Sequence, residues 1–182
     1  METFIERSQR LKHEIQNSPE IIKAIQDCFV GNNEAFSSGT EHDIHRIGMT
    51  DSGIYLVLRK KCFSMRADEE SSRFNIYCQN AETLASSRSE GKFLWRSNSP
   101  SFCIAVIYQH NKVGIITEDM SEGGKYEMTN EMGDYSSSRK LNGEIIDEVL
   151  VDLDACRADG YFKPQEVRST ISYFSDENIL EI

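Results

Sequence analysis

The chain has 182 residues, of which 38% are hydrophobic and 27% charged, and its formal net charge is −10. That balance is too apolar for wholesale disorder and too polar for a membrane protein, and the length is that of one domain with a substantial core. No run of about 18 apolar residues occurs, and METFIERSQRLKHEIQ is charged where a signal peptide is apolar, so a soluble cytoplasmic protein with no membrane partner is expected.

The chain opens on two predicted helices, over about residues 2–16 and 19–30. The first is carried by Phe4, Ile5, Leu11 and Ile15 at helical spacing. For the second, Ser18 is a good N-cap, Pro19 suits the first helical position, Glu20 faces the positive end of the dipole, and Gly31 can take the terminating left-handed conformation. Ile21, Ile22, Ile25, Cys28 and Phe29 form its apolar face. The period then changes to two. GIYLVLRKK (53–61), RFNIYCQ (73–79), KFLWR (92–96), SFCIAVIYQ (101–109), VGIITE (113–118) and KYEMT (125–129) read as strands, rich in β-branched and aromatic residues. The 101–109 strand is apolar on both faces and is expected to be central, with a turn at His110–Lys112. A short helix is read at 80–87, and the serines at 86–89 and 136–138 and SEGGK (121–125) read as loops.

Further on, NGEIIDEVLVDLDACRADG fits a helix over 144–154 through Ile145, Ile146, Val149, Leu150 and Leu153, although Val149, Val151 and Leu153 also alternate as a strand would. A last helix is expected from Pro164, presenting Val167, Ile171 and Phe174. The fold class expected is α+β in one globular domain, 1–182. It comprises an N-terminal helical hairpin (1–31), a central, mostly antiparallel sheet of about five or six strands (53–129), and C-terminal helices (144–175) packed on the sheet.

The motifs that resemble chemistry fall short of it. In EHDIHRIG, His42 and His45 are three apart, whereas a zincin pair needs four on a helix with Glu beside the first; on a half-exposed edge strand they point to opposite faces. DGYFKPQE (159–166) matches the later half of a calcium loop, but the first and third positions are Ala155 and Arg157, which supply no oxygen ligand. SEGGKYEM lacks the earlier glycine and the following Ser/Thr of a phosphate loop. Cys28, Cys62, Cys78, Cys103 and Cys156 form no C-x-x-C pair and suit buried thiols in a reducing compartment. No cofactor or metal is expected. Cys62, after Arg59-Lys60-Lys61, is the one thiol in a basic context, which makes a small cysteine- or histidine-dependent hydrolase or transferase an alternative function. Tyr55, Phe63, Phe74, Tyr77, Phe93 and Trp95 could stack bases, but a body of net charge −10 repels nucleic acid.

Charge is unevenly placed. Residues 59–112 carry nine Lys/Arg against five Asp/Glu, whereas residues 113–182 carry six against sixteen. Glu144, Asp147, Glu148 and Asp152 would line the polar side of the 144–154 helix, with Asp154 nearby and Glu118, Asp119 and Glu122 in the loop after the hairpin. The plain alternative is a solvated face that maintains solubility. The functional expectation is a docking surface for a basic protein partner, because complementary charge speeds encounter and excludes wrong partners. A nuclease or another cationic toxin would be such a partner, which gives an inhibitor or immunity-type role with no catalytic group required. An adaptor subunit of a larger assembly is a third possibility.

Overall fold

The structure is a computed structural model that describes residues 4–38, 42–62, 103–109, 112–129, 136–150 and 179–181. The expected elements at 73–79, 80–87, 92–96 and from Pro164 onward, and the calcium-like stretch, lie outside the described residues.

Helices α1 (Phe4–Gln16) and α2 (Pro19–Val30) form the N-terminal hairpin. Ser18 is extended and its side chain accepts from the Ile21 amide at 3.3 Å, so an orphan donor of the first turn is satisfied. Gly31 closes the helix at φ 85°, its amide donating to the Asp27 carbonyl. The same C-terminal end is also tied from outside: Lys60 reaches up from the sheet and its Nζ donates to the Cys28 carbonyl at 2.9 Å, placing a cation at the negative end of the helix dipole.

The larger sheet runs in the order β1 (Ser37–Ser38), β2 (His42–Met49), β3 (Tyr55–Lys61), β5 (Lys112–Glu118), β4 (Cys103–Gln109) and β9 (Ile179–Glu181). All its pairings are antiparallel except β4 with β9. Leu58 stands in register with His45 on one side and Ile116 on the other. Since cross-strand partners share a face, these three residues look toward the same side. There the hairpin docks. Leu11, Ile15, Ile21, Ile25, Cys28 and Phe29 close over Ile47, Leu56, Leu58 and Ile116 in one apolar cluster. Ile22, expected on the buried face of α2, is only half-buried at its edge. A polar clasp holds the far end of α1, where Glu14 accepts from the Ser52 amide at 3.1 Å and from its hydroxyl at 2.9 Å.

A second sheet contains β6 (Glu127–Thr129), β7 (Ser136–Leu141) and β8 (Glu144–Leu150), in that order and all antiparallel. Two sequence expectations are corrected here. Residues 144–150 are a strand and not the first part of a helix, and Ser136–Ser138 are strand and not loop. The physical reason is the dipeptide Asn142-Gly143, whose φ values of 54° and 82° are those of a two-residue hairpin turn that matches strand twist. That turn brings Ser136–Leu141 back along Glu144–Leu150 and decides the ambiguous period in favour of two. The architecture is thus α+β. Among the described residues no helix is long and apolar enough to cross a membrane.

Candidate functional site

The eight acidic residues singled out in the sequence do not share a helix face. Glu118 ends β5 and is buried opposite Leu56. Glu144 is exposed at the start of β8, and Glu148 lies further along the same strand. Asp152 and Asp154 lie outside the described residues. The remaining three, Asp119, Glu122 and Asp147, meet around one loop, and each faces a cation of the chain itself.

Residues 119–126 (DMSEGGKY) owe their shape to Asp119. One carboxylate oxygen accepts from the Ser121 amide at 2.9 Å and the Ser121 hydroxyl at 2.5 Å, and the other accepts from the Gly123 amide at 2.9 Å. Three consecutive residues then take positive φ, Glu122 at 49°, Gly123 at 73° and Gly124 at 95°. The chain reverses so tightly that the Tyr126 amide donates to the Ser121 carbonyl at 3.0 Å. Asp119 is 7% exposed, a buried structural anion rather than an outward-facing one.

On the sheet side of this loop lies Arg46 of β2. Its guanidinium sits 3.8 Å over the Phe36 ring, with Nε 3.6 Å from the Asp119 carboxylate. Phe36 is placed by its amide, which donates to the Ile44 carbonyl at 3.0 Å, immediately before the β1–β2 pairing begins. Gly124 lies against the guanidinium: a Cβ there would come within 3.2 Å of Nη2 and would push it by a few tenths of an ångström, and the φ of 95° is one that glycine adopts without strain. On the other side, Arg139 of β7 makes a bidentate pair with its cross-strand neighbour Asp147, at 2.7 and 2.6 Å. It also donates to the Met120 carbonyl at 3.3 Å and stacks 4.7 Å over the Tyr126 ring. The Asp147 hydrogen bonds are the main cause that raises the Arg139 pKa further above its ordinary value. Glu122 approaches Arg139 and Lys125 at 3.9 Å, beyond hydrogen-bond reach.

Between these groups opens a cleft of about 510 Å³, lined among others by Phe36, Arg46, Lys125, Tyr126, Met128 and Lys140. It is a cationic and aromatic recess on an acidic protein. Arginine, tyrosine and phenylalanine residues scattered over ninety positions carry no spacing signal, so no residue pattern points to it; the DxSxGG run is the one local cue that this loop is structured.

Among the described residues, His42, His45, Cys28 and Cys62 are placed as follows. His42 and His45 are on β2, in register with Lys61 and Leu58, and therefore on opposite faces. His45 is not half-exposed as expected of an edge position but 3% exposed beneath the helices, because β1 extends the sheet past β2 and the hairpin covers this face. Neither ring nitrogen is in hydrogen-bond geometry. Burial first, and Lys60 second, lower its pKa and favour the neutral ring. Cys28 is buried, its thiol donating to the Ala24 carbonyl at 3.1 Å, and desolvation pushes it up to about 11. Cys62 is exposed, and partial desolvation followed by the adjacent Asp43 carboxylate moves its thiol upward as well. Lys60 and Lys61 pull it the other way but do not prevail. Among the described residues no group of three or more His, Cys, Asp or Glu is arranged to hold a metal ion.

No protein-family model, curated protein or solved structure matches this chain.

Proposed function

We propose that the protein is a small cytoplasmic binding protein of the inhibitor or immunity type, which docks onto a basic macromolecular partner such as a nuclease or another cationic toxin. The observation that carries this reading is the acidic excess after residue 112, sixteen Asp/Glu against six Lys/Arg. The internal pairs of Asp119 and Asp147 narrow the docking surface. Asp119, buried and taken up by three donors of its own loop, and Asp147, paired with Arg139, contribute little to a partner, so recognition falls to Glu122, Glu127 and Glu144, to Glu148, and to Asp152 and Asp154 further along the chain. The Cys28 and Cys62 thiols are shifted away from the thiolate, which weighs against either of them as the nucleophile of the cysteine-dependent hydrolase alternative.

The test is charge reversal read by salt-dependent binding. The protein should retain a basic nuclease at low ionic strength and release it as salt rises, and the triple change Glu122→Lys, Glu127→Lys, Glu144→Lys should lower the association rate by at least about tenfold. Equal binding by the triple variant overturns the reading. One observation favours the adaptor alternative. Ile145 and Ile146 are 57% and 48% exposed on β8, which among the described residues is paired on one side only. Such a strand can extend into a partner's sheet. Salt-insensitive assembly lost on Ile146→Lys would decide for that reading.

A further inference from the structure

We propose that the cleft between Arg46 and the β6–β7 strands binds a phosphate monoester, with Arg46 and Lys125 as the groups that hold the phosphate. The site differs from the acidic docking surface in using the cations of this region, and the one docking carboxylate it shares is Glu127, which also lines the cleft.

Arg46 is fixed before any ligand arrives. The Phe36 ring lies 3.8 Å below the guanidinium and Gly124 lies against it, so the fork is held on two sides. Asp119, the nearest anion, does not consume its donors. That carboxylate is occupied by three loop donors, its approach to Nε is 3.6 Å, and Nε makes no hydrogen bond. With the Arg46 side chain 39% exposed and lining the cleft, its terminal donors face the recess. Lys125, 56% exposed, adds a second cation on the same rim, and its approach to Glu122 at 3.9 Å is too long for a hydrogen bond.

A rigid guanidinium fork beside a mobile ammonium matches the oxygens and the double charge of a phosphate monoester better than a carboxylate, which carries one charge and two oxygens. Phe36, Tyr126, Met128 and Leu141 give the cleft apolar and aromatic surface that suits the organic part of an ester rather than a bare ion, while Ser121, Lys140, Asn142 and the Glu127 carboxylate make up the rest of its polar lining. The volume of about 510 Å³ is within the range of small-molecule sites.

The experiment is titration of the full-length protein with phenyl phosphate at constant ionic strength, followed by amide NMR. Saturable shifts are expected at Gly124, Lys125 and Tyr126. Benzoate, with the same ring and a single charge, should bind about tenfold more weakly, and Arg46→Lys and Lys125→Gln should each weaken phenyl phosphate by about tenfold. Arg46→Lys keeps a cation beside Asp119, and Lys125 is exposed, so both variants should retain the wild-type spectrum outside the loop. Absence of saturable shifts, equal affinity for benzoate, or unchanged binding in either variant overturns the assignment. Inorganic phosphate binding as tightly as phenyl phosphate overturns the ester. A phosphoserine peptide that outcompetes phenyl phosphate supports the site and assigns the phosphate to a protein partner; the reverse order supports it and assigns a small molecule.

Discussion

The helical hairpin on the larger sheet and the β6–β8 ribbon with its Asp119 loop are held together by different physics. In the first, Leu11, Ile15, Ile21, Ile25, Leu56, Leu58 and Ile116 are all at most 2% exposed, and their contribution is area removed from water, which has no preferred direction. In the second, the contacts between loop and strands are directional: a bidentate arginine–aspartate pair, a carboxylate collecting three loop donors, and cations stacked on rings. The ribbon leaves Ile145 and Ile146 in water while burying Asp119. An acidic protein can therefore use its carboxylates as interior struts, and net charge alone does not say which acids face outward.

The contrast can be broken from either side. The largest expected effect is in the apolar half. Leu58→Ala, which removes a wholly buried side chain between β2, β5 and α2, should cost about 3 kcal/mol in denaturant unfolding and leave salt dependence unchanged. In the polar half, Arg139→Ala leaves Asp147 and the Met120 carbonyl without their donor at 14–16% side-chain exposure, and should cost about 2 kcal/mol. Its amide exchange should rise in residues 119–126 and 136–150 while the helices stay protected. Ser18→Ala removes the α2 cap and should cost about 1 kcal/mol.

A smaller, pH-dependent effect belongs to His45. Its folded pKa is lowered by burial and by Lys60, so below about 6.5 the unfolded chain takes up a proton that the folded chain does not. Stability is full above that value and falls as pH drops toward the folded pKa. His45→Leu should flatten this part of the pH profile, measured as denaturant midpoint against pH. An unchanged profile would remove His45 from the account. Smallest of all, Ile145→Thr and Ile146→Thr should alter monomer stability by no more than about 0.5 kcal/mol, because both side chains are already in water. A large loss would show that something covers them in solution.

Legibility followed the range of the signal. Ser18, Pro19 and Gly31 marked both ends of α2, and the runs behind β3, β4 and β5 showed as alternation among β-branched and aromatic residues. β8 carries a misleading local signal, because Ile145, Ile146, Val149 and Leu150 satisfy a helical period, while the stronger cue, Asn142-Gly143, lies just before them. The candidate cleft was not legible. Phe36, Arg46, Lys125 and Lys140 are brought together by a β1–β2 pairing, a left-handed loop and a separate sheet, and no spacing rule joins them.

What the sequence determined alone was the local and the aggregate: helix caps, strand periods, net charge and its bias toward the C-terminal third, all of which depend on neighbours within a few residues or on simple sums. Tertiary structure decided the pairwise facts, that Asp119 faces Arg46, Asp147 faces Arg139 and His45 lies under the helices. The physical reason is distance. Charge and hydrogen-bond energies are set within a few ångströms, and only the folded chain fixes which residues stand that close.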